Sequence, residues 1–327
     1  MLPPRLAACI AVVFWGISFV ATKAVLRDLA PVTLIFTRFL IGAIVLLLIV
    51  RELPPRDAWP QLALMGFIGV FVHQMLQAFA LTMTTATNCG WLIGITPIWS
   101  AVLAAIVLRE RFGFWKIAGL AGGFAGALLV VTRGDFSARV LGRPSTLGDA
   151  MIFLSAINWA IYTVIGHRII RRLGPRRATS GAMLFGVLML TPFFVARQGW
   201  NDLPHLRASG WGALLFLAVG CSALGYLFWY GALEHIEASR VAALLYAEPL
   251  VTFVAAVVLL GERVRAVTVA GGILVLASVI LAQYAPAART AVGVPAGDKA
   301  ASRLGQQALP AVPAAQPAVQ TNPEEVG

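Results

Sequence analysis

Pro97–Arg111 reads PIWSAVLAAIVLRER, and Pro249–Arg263 reads PLVTFVAAVVLLGER. The strings align without a gap at an offset of 152, Pro97 on Pro249, Ser100 on Thr252, Glu110 on Glu262 and Arg111 on Arg263. Gly119 and Gly271 keep that offset, whereas Trp15 and Trp159, Pro31 and Pro175, and Gly42 and Gly186 are 144 apart. An eight-residue insertion between the second and third apolar segments of the later copy accounts for the change. The chain is a duplication.

Each copy contains five apolar segments near 20 residues long. They are Leu6–Leu26, Val32–Val50, Trp59–Leu81, Thr85–Leu108 and Phe114–Val131, then Leu147–Gly166, Thr179–Ala196, Ser209–Leu233, Ser239–Leu260 and Ala266–Tyr284. With 59% hydrophobic and 12% charged residues, the chain falls far from the roughly 25% charge of a soluble domain. Continuous runs of this length span a bilayer as helices, not as barrel strands. The fold expected is all-α and integral to the membrane, with the lipid bilayer as its surroundings. Residues 1–131 form the first repeat, 132–146 a connecting loop and 147–284 the second repeat. The Ala-, Pro- and Gln-rich stretch 285–327 is expected to be a disordered tail.

Five crossings per copy bring the second copy in from the opposite side. Ten transmembrane helices would then form two inverted five-helix repeats, an arrangement common among secondary transporters. The first segment lacks a small-residue cleavage site and is too long for a signal peptide, so it is expected to be retained. Fifteen Lys or Arg lie on the side of the termini and nine on the other, so both termini are expected in the cytoplasm. These residues separate apolar runs, so the net charge of +11 reflects topology, and nucleic acid is not an expected partner. Cys9, Cys89 and Cys221 lie within apolar runs as packing residues, and no metal site, catalytic residue or cofactor is expected.

Several residues do not belong in plain lipid-facing helices. Glu248 stands about 14 Å along its segment, near mid-bilayer, beside Pro249. A carboxylate there is a candidate for proton exchange or for a substrate amine, or else an acid that only locks helices together. Its counterpart is Thr96, beside Pro97. Both prolines remove an amide and are expected to kink their helices, freeing the carbonyls of Ile93 and Leu245. Thr252 follows Glu248 by one turn. His73 and Gln77 share a face of the third helix, as solute ligands or as hydrogen-bonded packing residues. Trp15 with Ser18, and Trp159 with Tyr162, occupy matched positions, and Trp91 and Tyr230 add aromatic surface for a cavity or for packing. Arg38 has no charged counterpart; it either meets a carboxylate or snorkels to the interface. Gly119, Gly122, Gly123 and Gly126 form GxxxG spacings that suit close packing within or between protomers, and the oligomeric state is open.

Trp15–Lys23 (WGISFVATK), the stretch from Pro31 to Arg38-Phe39, and the paired Pro…LxER endings resemble the drug/metabolite transporter superfamily, more narrowly its EamA-type ten-helix carriers. The likeness runs from about Leu6 to Ala282. It implies a secondary carrier in an inner membrane, often an exporter of amino acids or other small metabolites, with a small-molecule substrate and proton coupling as expectations. A carrier of lipid-linked or nucleotide-linked metabolites is the alternative, and a non-transporting membrane protein a more distant one. No HExxH, GxSxG or P-loop motif supports an enzyme.

Overall fold

The structure is a computed structural model, and it describes residues 2–51, 54–108, 114–233 and 244–284. Glu110, Arg111, Ser239 and the tail 285–327 lie outside the described residues. Proline opens four helices, where its missing amide is no loss and its fixed φ suits the first turn: α1 (Pro4–Val25), α2 (Pro31–Val50), α6 (Pro144–Leu173) and α7 (Pro175–Ala196). Between them lie α3 (Arg56–Met83), α4 in two pieces (Ala86–Ile93 and Thr96–Leu108) and α5 (Phe114–Thr132). After α7 come α8 (208–233), α9 (Glu248–Leu260) and α10 (Ala266–Tyr284). Among the described residues, six helices are long and apolar enough to cross a membrane, with three shorter apolar helices beside them.

Two departures from plain α-helix recur at matched places. Phe67–Val72 in α3 and Phe216–Leu224 in α8 are π-helical, and the offset of 152 carries the first onto the second's C-terminal part. Extra residues per turn there redirect the side chains that follow, a distortion frequent at functional sites.

The second departure lies at the prolines. They were expected to bend continuous helices; instead each stands in the first turn of a restarted one. α4 breaks at Gly94 and Ile95 and resumes at Thr96, while α9 begins at Glu248 after the 3₁₀ turn Leu244–Ala247. A proline costs least in a first turn, so the chain ends one helical piece and starts another.

Packing repeats with the sequence. Gly42 of α2 lies against Ala218 O and the Ser222 side chain of α8; Gly186 of α7 lies against Val70 of α3. Those pairs are related by the two offsets, since 42 maps to 186 and 70 to 222. α1 packs on α8 and α9, and its counterpart α6 packs on α3 and α4. The glycine stripe of α5 meets α10 within the same chain, where a Cβ at Gly126 would stand 2.7 Å from Gly271 O. The first piece of α4 packs on α9, whereas its second piece packs on α6.

Candidate functional site

Polar and aromatic side chains gather in two patches between the helices. On one wall the indole Nε1 of Trp15 donates to Cys221 O at 3.2 Å, and its ring stands 5.6 Å from Tyr226 and 5.3 Å from Trp229. On the other, Trp159 lies 5.0 Å from Tyr162 and 4.8 Å from the His73 imidazole. His73 is buried and faces Ser155 O at 3.2 Å, while Gln77 is half-buried beyond it. Trp15 and Trp159 are repeat mates, so each half contributes one aromatic wall.

Arg38 is 6% exposed and does not snorkel. Its Nε donates to Ser222 Oγ at 2.9 Å and Nη1 to Gln74 Oε1 at 3.5 Å, and it lies 5.1 Å from the Phe39 ring. No carboxylate pairs with it among the described residues. Burying a guanidinium with only neutral partners leaves most of its charge uncompensated. Ser222 reaches it from the π-helical turn of α8.

Glu248 is the first residue of α9 and is half-buried. Its backbone carbonyl accepts from Thr252 Oγ1 at 3.0 Å, but its carboxylate has no hydrogen bond or ion pair among the described residues. The broken helix therefore places the acid at a helix's positive end, worth about 0.3–1 kcal/mol at exposed sites and up to about 2 when partly buried. Cys221 lies near enough to Arg38 and Glu248 to feel both charges.

Other expected site residues have different work. Thr96 Oγ1 donates to Ile93 O at 2.6 Å, satisfying the carbonyl that Pro97 leaves free. Thr252 is fully buried and donates to Gly16 O at 2.8 Å, tying α9 to α1. Trp91 is fully buried, enclosed against Phe253 and Gly272, and its indole Nε1 has no hydrogen-bond partner among the described residues. Ser18 returns its hydroxyl to Trp15 O at 2.6 Å. The side chain of Tyr230 lies outside the described part of the structure.

A second polar cluster, at the C-terminal ends of α1, α5 and α9 and the starts of α4, α6 and α10, is the larger surprise. Gly261, at φ 66°, turns the chain back so that the Glu262 amide donates to Ala256 O at 3.2 Å. The Glu262 carboxylate then caps α4, accepting from Ala86 N at 2.9 Å, Thr87 N at 3.1 Å and Thr87 Oγ1 at 2.7 Å. Lys23 stands 3.8 Å away and donates to Thr84 O. Asp149, fully buried, accepts from Thr84 and twice from Asn88, at 3.1 and 3.0 Å, with Arg133 at 4.0 Å. The signal for Asp149 was in the sequence: an acid at the head of an apolar run. The role of Ser222 had none, because one serine among apolar residues does not show which arginine it meets.

Long apolar helices with charged and aromatic side chains packed between them define a multi-pass membrane protein. The model of the EamA-like transporter family matches residues 3–132 and 146–284, and the chain belongs to that family. It is a membrane transporter for a small molecule, not an enzyme. An uncharacterised transporter of Archaeoglobus fulgidus is 30% identical over 285 residues, 85% of this chain and 96% of that protein. A Salmonella typhimurium protein described as a probable amino-acid metabolite efflux pump is 27% identical, over 84% of this chain and 92% of its own. One crystal structure, 19% identical, shares the fold with a TM-score of 0.61 over 86% of this chain and 98% of that one.

Proposed function

We propose that the chain forms ten membrane-spanning helices in two inverted five-helix repeats and exports small zwitterionic metabolites, amino acids among them. In this reading the termini are cytoplasmic, the membrane is the inner membrane, and access alternates between the two sides. The substrate carboxylate meets Arg38, its ammonium meets Glu248, and the aromatic walls of Trp15 and Trp159 hold its side chain. Glu248 also exchanges the coupling proton when substrate leaves.

One observation carries the substrate reading. Arg38 and Glu248 carry opposite charges, both lie near enough to Cys221 to interact with it, and neither has a charged partner among the described residues. A ligand bearing both charges compensates both at once, whereas a singly charged one leaves the other exposed to the low dielectric. The inverted arrangement is supported by the matched contacts Gly42–Ser222 and Gly186–Val70, and the exporter assignment by the Salmonella relative's description. A carrier of lipid-linked or nucleotide-linked metabolites would need several central cations; among the described residues Arg38 is the one buried Lys or Arg.

The test is counterflow in proteoliposomes with a panel of labelled amino acids. Uptake of at least one against its unlabelled form is expected, with a pH dependence that Glu248→Gln flattens. If Glu248→Gln leaves rate and pH profile unchanged, the coupling role fails.

A further inference from the structure

Between the start of α4 and the connection from α9 to α10 lies a cavity of about 150 Å³. It has room for several water molecules, or for one oxyanion with part of its hydration shell. Four arginines line it: Arg133 and Arg143 from the connection between the repeats, Arg263 and Arg265 from the connection after α9. The lining also contains neutral donors, including Thr85, Asn88 and Thr268.

The charges do not cancel. Glu262, the one acid in the lining, spends both oxygens on the first turn of α4 and has Lys23 beside it. Arg133 faces Asp149, which is already engaged by Thr84 and Asn88. Arg143 pairs with Asp135 at 2.5 Å. Asp135 accepts from the Ser137 amide, and with Arg143 these bonds hold its carboxyl below the usual range, so it stays ionised beside its arginine. The guanidiniums of Arg263 and Arg265, both exposed residues, have no hydrogen bond or ion pair among the described residues. Two guanidiniums, each a planar fork suited to carboxylate and phosphate oxygens, are therefore left to a ligand.

Position adds a second argument. These arginines lie on the side opposite the termini, which carries only nine of the chain's Lys and Arg. A bias in membrane insertion acts against basic residues there. Gathering four of the nine around one cavity opposes that bias, and acids of the chain face only Arg133 and Arg143 among them.

We propose that this cavity is an anion-binding site for a phosphate or carboxylate group, held mainly by Arg263 and Arg265. An oxyanion seated there touches both the start of α4 and the connection after α9. Those are the two elements that Glu262 already joins. Occupancy therefore favours the arrangement in which this end of the bundle is shut. The same group could arrive as a free anion or as the headgroup of an acidic lipid, and the chemistry of recognition is shared.

Thermal unfolding of the purified full chain distinguishes them. One arm titrates inorganic phosphate at fixed ionic strength, balanced with chloride. The other compares nanodiscs of phosphatidylcholine alone with nanodiscs containing phosphatidylglycerol. Binding to the folded state raises the unfolding temperature in a saturable way. A saturable rise with phosphate that Arg263→Gln/Arg265→Gln abolishes supports a free oxyanion. A rise with phosphatidylglycerol alone, lost in the same variant, supports a lipid headgroup. Arg263→Lys/Arg265→Lys retains the charge and is expected to keep part of the rise, which separates loss of binding from loss of fold. No rise in either arm beyond chloride, or a rise that survives Arg263→Gln/Arg265→Gln, overturns the proposal.

Discussion

Glu262 uses one carboxylate to satisfy three donors at the head of α4, and a charged capping residue is hard to replace. Glu262→Ala leaves two amides of a part-buried helix end without partners. A loss of about 1–2 kcal/mol is expected in denaturant unfolding of the detergent-solubilised protein. Glu262→Gln is expected to retain part of that stability, because the amide oxygen still accepts. Gly272 is a different kind of residue-scale constraint. A Cβ there would stand 2.1 Å from the Trp91 ring, so Gly272→Ala is expected to cost about 1–3 kcal/mol by overpacking in the same assay. Asp135 gives a pH dependence whose sign follows from its lowered pKa. The folded form holds the carboxylate more strongly than the unfolded chain does. Its contribution is present above the ordinary carboxylate range, near 3.9, and fades as pH falls below it. Asp135→Asn is expected to flatten that part of the unfolding profile, and an unchanged profile would count against the Arg143 contact.

At the scale of the element, the breaks in α4 and α9 share a proline but are completed differently. Thr96 lends its hydroxyl to the carbonyl that Pro97 cannot serve. In the other copy the same position holds Glu248, whose carboxylate has no partner among the described residues and stands at a helix start. Thr96→Val keeps the shape and removes the hydroxyl, leaving a carbonyl short of a partner. A destabilisation of about 1–3 kcal/mol is expected in denaturant unfolding, with little change in substrate affinity. Here the sequence was only half readable. A proline in an apolar run announces an interrupted ladder, but it does not say whether the helix bends or restarts. The π-helical turns of α3 and α8 left no mark in residue type at all, because they arise from packing between helices. That is why Ser222 could not be assigned to Arg38 beforehand.

At the scale of the whole molecule, the apolar runs and the duplication were legible because lipid imposes length and because the copies kept their prolines, glycines and LxER endings. Which faces turn inward was not, since a buried bundle is apolar nearly all round. Trp91 and Thr252 show the consequence: Trp91 is packed between helices with its indole nitrogen unpartnered among the described residues, and the Thr252 hydroxyl ties α9 to α1. Trp15, Trp159 and Glu248 are instead only half-buried, and Arg38 is held by neutral partners. α9 packs on the first piece of α4, and Glu262 ties the start of that piece to the connection after α9; we infer that this latch holds that end of the bundle shut. A cysteine at Thr85 is therefore expected to react slowly with a membrane-impermeant maleimide, and at least about tenfold faster when Glu262→Ala is added. Equal rates would remove the latch from the account.

The central claim is that Arg38 and Glu248 divide a zwitterion between them. Competition binding tests it most directly, using a labelled amino acid that the carrier transports, against its carboxamide and its N-acetyl derivative. Hydrogen bonds to charged groups contribute about 1.5–3 kcal/mol, so each derivative is expected to bind roughly 10- to 100-fold more weakly than the parent. Arg38→Gln is expected to erase the penalty for the carboxamide while keeping that for the N-acetyl compound. Glu248→Gln is expected to do the reverse. Two variants that both discriminate as the unaltered protein does would contradict the account.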